Sequence, residues 1–250
     1  MPAKPQEFSS VWTRPQRQRR DQPALSREQI VGEALGLLDT EGYDALSMRK
    51  LGSRLNAGAT SLYTHVANKD EILELVVDAV FGEVRLPDHT TPGSWRADMT
   101  ALAGNLRDAM LRHPWMFSVI SGAGLAYLGP NVMRLTDVML RILETAGFDD
   151  DNSDRAANAL FAYLIGSTGT EAAMLNAVMR SGLSEQQWFE KMMTVAEEAA
   201  KTYPRIHKRY EAQRSLDSAQ SRDAFFVSEL GLLLDGLEMR GKAKKPAAQA

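Results

Sequence analysis

Residues 61 to 65 put three hydroxyls and an imidazole, those of Ser61, Tyr63, Thr64 and His65, around a single apolar side chain. A hydroxyl both donates and accepts hydrogen bonds, and an imidazole does either. Leu62 and Val66 are four residues apart and anchor one face of a helical segment. That turns Ser61, Thr64 and His65 away from the anchored face and leaves Tyr63 at its edge. An outward face of this kind suits the major groove of a DNA duplex, where short polar side chains meet base edges or phosphates. Arg49 lies near the same surface and could reach a guanine or a phosphate. Lys69 stands at a helix start, where free backbone N–H groups and a cation together favour a phosphate. A packing corner in a helical bundle would carry the same pattern, with Tyr63 as a half-buried aromatic and His65 as an ordinary surface histidine.

The elements that must position these groups are written around them. Ser26 and Gln29 have the spacing of a capping box, and Ile30, Ala34, Leu37 and Leu38 then share one helical face. Gly42 falls where a helix end needs positive φ. Ser47 is an N-cap for a short helix carrying Met48, Leu51 and Leu55, after which Asn56 and Gly58 both tolerate positive φ. Asn68 and Glu71 open a further helix, with an apolar stripe at Ile72, Leu73, Val76, Ala79 and Val80. Two short helices across a tight turn, braced by a first helix, make a helix-turn-helix.

Beyond "RLPDHTTPGS" at residues 85 to 94, which places a domain boundary in or near it, the chain reads as further helices. None alternates as a half-buried strand does. The expected fold is all-α. Residues 1–24 form a disordered basic arm, 25–70 the helix-turn-helix domain, 71–240 a linker helix with a larger helical ligand-binding and dimerisation domain, and 241–250 a disordered tail. Arg14, Arg17, Arg19 and Arg20 make the arm either a solvated tail or a segment lying along phosphates or in a minor groove.

Bulk composition narrows the classes. The 250 residues carry a net charge of −3, so any DNA contact depends on a local basic surface. With no cysteine, disulfides, thiolate metal sites and cysteine nucleophiles are excluded. No run of about 18 apolar residues is present, and the N-terminus lacks a signal-peptide core. The expected location is the cytoplasm, without membrane contact. The chain has no G-x-S-x-G, P-loop or G-x-G-x-x-G, and its four histidines form no H-E-x-x-H. It is therefore expected not to be an enzyme, and no cofactor or metal is expected. An α-helical enzyme, or a small-molecule-binding protein without DNA contact, stands as the alternative.

Residues 25–81, and above all "SMRKLGSRLN…SLYTHVANKDEIL", resemble the DNA-binding domain of the TetR family of one-component transcriptional repressors, in particular its tetracycline-repressor branch. "FFVSELGLLLDGLE" is similar to the last, dimer-forming helix of such proteins. The resemblance implies operator contacts for Arg49, Ser61, Tyr63, His65 and Lys69, and a phosphate contact for Ser47. Thr60 begins the recognition helix, where relatives often carry larger polar side chains, and Thr64 replaces a frequent aromatic. With fewer long side chains to read bases, backbone contacts and DNA shape gain weight.

One recognition helix reads few base pairs, so a homodimer on a palindromic double-stranded operator is expected. Phe226, Leu230, Leu233 and Leu237, widened by Phe225, Leu232 and Leu234, are the expected dimer surface, with Gly166 allowing close helix approach. Met110, His113, Met116, Phe117, Tyr127, Phe161, Tyr163, Thr168, Glu171 and Met174 are candidate lining residues for a small, largely apolar inducer. His113 and Glu171 do not align as a metal pair, and His113 before Pro114 reads as a helix cap. Inducer binding would swing the helix from Lys69 to about Val84, which links the two domains, and so lower operator affinity.

Overall fold

A computed structural model describes residues 25–87, 94–122, 128–213 and 218–241. Among them every regular element is helical. The arm at 1–24 and the tail beyond Gly241 lie outside the described residues. The chain divides into two compact units between Thr145 and Ala146.

The first unit starts with α1 (Arg27–Glu41), opened by the expected capping box: Ser26 Oγ accepts the Gln29 N–H at 3.1 Å, and Gln29 Oε1 accepts the Ser26 N–H at 2.8 Å. Ile30, Ala34, Leu37 and Leu38 are its buried face. Gly42 ends it at φ 81°, and a single 3-10 turn (Tyr43–Ala45) leads to Ser47, whose Oγ accepts the Lys50 N–H and caps α2 (Met48–Arg54). The turn after α2 needs positive φ only at Asn56 (φ 49°). Gly58, expected to share that role, does not; one residue in the left-handed region is enough to reverse the chain.

α3 (Ala59–Leu62) is a single turn, shorter than expected. Bonds from the His65 and Val66 N–H groups back to the Leu62 carbonyl carry its direction on. α4 (Lys69–Gly82) is capped by Asn68, whose Oδ1 accepts the Glu71 N–H at 2.9 Å. The reciprocal half of that capping box is displaced: the Glu71 carboxylate accepts from the Ala67 N–H. α4 is buried almost all round, including its polar Glu71, Glu74 and Asp78, because it packs against α1 on one side and against α5 (Trp95–Arg112) and α7 (Pro130–Thr145) on the other. A helix buried on that many sides has to place its charged groups against partners. The short α6 (Met116–Gly122) completes this unit.

The second unit holds α8 (Asp150–Ser181), α9 (Glu185–Ala199), α10 (Pro204–Gln213) and α11 (Ser218–Gly241). Asp149 caps α8 and left-handed Gly182 closes it. α9 opens on a second capping box, Ser184 with Gln187. α10 is an element that the hydrophobic pattern does not announce, since none of its residues is buried.

Candidate nucleic-acid interface and effector domain

Leu62 and Val66 are both 0% exposed, locking α3 and the turn after it onto the head. From that fixed segment Thr60, Ser61 and Thr64 project into solvent, and Tyr63 is 53% exposed. His65 is half-buried. The Thr64 hydroxyl donates to the Ser61 carbonyl at 2.7 Å. Arg49 and Ser47 are exposed at the start of α2, the Ser47 Oγ already spent on its cap. Lys69 is half-buried; its Nζ donates to the Tyr43 carbonyl at 3.4 Å and sits 4.2 Å from the Tyr43 ring centroid. Tyr43, absent from the expected contact set, thus holds the lysine in one place by a cation–π contact.

The cations on the other side of α2 are tied down. Lys50 pairs with Glu41, and Arg54 bridges Glu33 at 3.1 Å and Glu41 at 3.3 Å. The hydrogen bond from Lys50 holds the Glu41 carboxyl below its ordinary range. Arg49 pairs with no such carboxylate among the described residues, so the head keeps a cation beside its exposed hydroxyls.

The expected effector-lining residues fall in both units. Met110 and Met116 are 0% exposed and belong to the core of the first; Phe117 is half-buried. Tyr127 lies outside the described residues. His113 does more than cap a helix. Its Nδ1 lies 2.7 Å from Asp39 Oδ1 and its Nε2 3.2 Å from Glu83 Oε2. Trp115 Nε1 donates to the same Asp39 oxygen at 2.7 Å, and Arg112 reaches Glu83 at 3.0 Å. The imidazole therefore joins the end of α5 to α1 and to the end of α4, and with both nitrogens engaged it has none left for a ligand. Burial pushes the Glu83 carboxyl up, but hydrogen bonds from Arg112 and His113 outweigh it and leave the group below its ordinary value. The two carboxylates sit on opposite ring nitrogens, so they do not converge on one ion, and no group of three or more acidic or histidine side chains among the described residues is placed to hold a metal.

In the second unit Phe161, Tyr163 and Met174 are half-buried and Thr168 is 0% exposed. The Tyr163 hydroxyl donates to the Phe226 carbonyl at 3.1 Å, and the two rings stack with centroids 6.0 Å apart. Glu171 is committed as well: Arg222 donates to it at 2.8 Å and pairs with Glu185 at 2.9 Å, tying α8, α9 and α11 together. This makes Glu171 an ion-pair partner that joins three helices of the second unit.

The expected dimer surface turns partly inward. Phe226 and Leu230, 5% and 0% exposed, pack with Leu234 inside the subunit, whereas Leu233 and Leu237 are half-buried. The other side of α11 carries Phe225, Leu232 and Met239, which are 47%, 71% and 78% exposed. The helix is apolar over as wide an arc as expected, but its own subunit takes the 226/230/234 face. Gly166 is exposed, and a Cβ there would meet nothing within 4 Å, so the surface remains open to close approach. No described helix is long and apolar enough to cross a membrane.

Residues 30–76 match the family model described as bacterial regulatory proteins, tetR family, and residues 86–240 match the tetracyclin repressor-like C-terminal domain. An HTH-type transcriptional regulator of Saccharopolyspora erythraea is 44% identical over 179 residues, covering 70% of this chain and 75% of that protein. The HTH-type transcriptional repressor DrrR1 of Streptomyces coeruleorubidus is 29% identical over 219 residues, covering 87% and 78%. The solved structure of the Streptomyces coelicolor TetR family protein ActR in complex with actinorhodin superposes with a TM-score of 0.72 at 30% identity, covering 85% of this chain and 95% of that one. With both halves of the family's architecture matched, over residues 30–76 and 86–240, the chain belongs to the tetR family of bacterial regulatory proteins.

Proposed function

We propose that this regulator is a homodimeric repressor, which grips a palindromic operator through the surface from Ser47 to Lys69 and releases it when a small, mainly apolar molecule binds the C-terminal domain. One observation carries the reading. Within a single turn and its continuation, Leu62 and Val66 are sealed while Ser61, Tyr63 and Thr64 stand in solvent. Buried anchors fix the backbone, and fixed polar side chains can match a groove without a large entropic cost on binding. Arg49 and Lys69 supply the phosphate contacts, with Thr60 and His65 at the two ends of the reading segment.

A second head is needed because one short helix contacts too few base pairs for useful discrimination. The outward stripe of α11, Phe225, Leu232 and Met239 at seven-residue intervals, supplies the partner face, continued by the half-buried Leu233 and Leu237. The ActR complex with actinorhodin supports an effector of small-molecule size. Within the second unit, the half-buried Phe161 and Met174 are lining residues with apolar surface to offer, and the reading calls for no enzymatic chemistry. A regulator of this kind works where the bacterial chromosome is, in the cytoplasm.

The test is selection of bound sequences from a random DNA pool, followed by gel shifts across a salt series. An inverted repeat should emerge, with affinity falling steeply as salt rises. Tyr63→Ala and Lys69→Ala should each weaken binding while leaving the protein folded. A pool from which nothing is enriched, even at low salt, refutes the reading.

A further inference from the structure

The linker helix carries three buried carboxylates, Glu71, Glu74 and Asp78, that neither the operator surface nor the effector set uses, and one of them caps another helix. Asp78 is 5% exposed, and its Oδ1 accepts the backbone N–H groups of Asn131 and Val132, both at 3.0 Å. Its Oδ2 accepts from Asn131 Nδ2, also at 3.0 Å. These two N–H groups belong to the second and third residues of α7, the pair that an N-cap side chain ordinarily satisfies. The first residue, Pro130, has no N–H to satisfy. The residue in the capping position itself, Gly129, has no side chain with which to cap. The cap of α7 is therefore supplied by a different helix, 53 residues earlier in the chain.

Two glycines make room for this exchange. A Cβ on Gly129 would lie 2.1 Å from Asp78 Oδ1, 2.2 Å from its Cγ and 2.7 Å from its Cβ. The last contact is to the root of the side chain, so no rotation of the carboxylate relieves it. On α4, one turn beyond Asp78, a Cβ on Gly82 would come within 3.0 Å of Asn131 Nδ2. The interface is thus shaped on both sides to let one carboxylate reach one helix end. Opening the joint would leave the Asn131 and Val132 N–H groups without the cap that Asp78 supplies, which opposes separation of the two helices.

We propose that Asp78 is the positioning residue of the regulator, latching the linker helix, and with it the DNA-reading head, onto α7 of the effector domain. The proposal rests on the operator reading given above. Any effector-driven swing of α4 relative to α7 has to break this latch, so the latch sets how tightly effector state and head orientation are coupled. Because both backbone bonds fall on Oδ1, asparagine preserves the cap and alanine abolishes it.

The experiment uses the full chain. Its lack of cysteine lets Asp44→Cys on the head and Glu144→Cys at the far end of α7, both at exposed positions, take spin labels uniquely. With labelled subunits diluted in unlabelled ones, double electron–electron resonance reads the head-to-α7 distance without DNA. The wild type should give a narrow distribution, Asp78→Asn one close to it, and Asp78→Ala a broadened one. Gly129→Ala should shift the distance, and adding Asp78→Ala to it should reduce that shift without abolishing it, since alanine removes the carboxylate but keeps the Cβ 2.7 Å away. On the pool-selected DNA, Asp78→Ala should bind about tenfold more weakly. Distances in Asp78→Ala and Gly129→Ala that superimpose on the wild type overturn the latch; should Asp78→Ala fail to fold, Gly129→Ala alone decides. A wild type that selects no DNA sinks the operator reading, while the distances still judge the latch. Tight DNA binding by Asp78→Ala, equal to wild type, refutes the latch and leaves the operator reading standing.

Discussion

Asp39→Ala tests whether the head is held to the rest of the first unit by one shared oxygen. In the structure the His113 Nδ1 and the Trp115 Nε1 both lie 2.7 Å from Asp39 Oδ1. Removing that oxygen strands two donors whose residues are 7% and 5% exposed. An unpartnered buried donor costs about 1–3 kcal/mol. The Asp39 side chain is 31% exposed, so water reaches part of the site and the sum belongs toward the lower end, about 2–4 kcal/mol. Against a typical total stability of about 5–15 kcal/mol this is a large fraction. Asp39→Asn keeps an oxygen in the same place for both bonds and should cost less than about 1.5 kcal/mol. Urea denaturation followed by circular dichroism, at fixed protein concentration because an oligomer's stability depends on it, measures both. A cycle adding His113→Ala should show that its cost and that of Asp39→Ala are not additive. The reasoning fails if Asp39→Ala and Asp39→Asn are equally stable, or if alanine comes within about 0.5 kcal/mol of wild type.

Other outcomes follow from the same geometry. The Glu83 carboxyl is held below its ordinary value in the fold, so its stabilising contribution is complete above the ordinary carboxylate range and disappears as pH falls through the lowered folded value. Glu83→Gln should therefore flatten the acid limb of a stability-versus-pH curve, and an unchanged limb would remove Glu83 from the joint. Leu62→Ala should cost about 2–5 kcal/mol, because the side chain is 0% exposed. Tyr63→Ala, at 53% exposure, should leave the melting midpoint nearly unmoved while lowering DNA affinity; the reverse order would invert the assignment of the two faces. Leu232→Arg, on the exposed side of α11, should shift the protein toward monomer in sedimentation analysis, whereas an unchanged mass would place the partner face elsewhere.

What could be read from the sequence was what is local. Ser26 with Gln29, Ser47 with Lys50, and Leu62 with Val66 act across three or four positions, where helical geometry alone decides who meets whom. Their spacing was enough to place the head, its buried anchors and its outward hydroxyls. The direction of α11 was not legible in the same way. Its apolar arc is broad enough to face either way, and only packing against α8 and α9 selected 226, 230 and 234 as the inner side. His113 and Glu171 looked available to a ligand because the sequence shows neither Asp39 and Glu83 nor Arg222 beside them.

The sequence by itself thus determined the helical class, the local caps of α1 and α2, and which face of the reading segment is buried. All of these are set by periodicity and by hydrogen bonds closed within one turn. Tertiary structure alone decided that Asp78 caps α7 from 53 residues away, that Asp39 serves Trp115 from 76 residues away, and that Arg222 draws Glu171 into an ion pair. A buried polar group must find a partner somewhere, but nothing in its immediate neighbours says which distant segment will bring one.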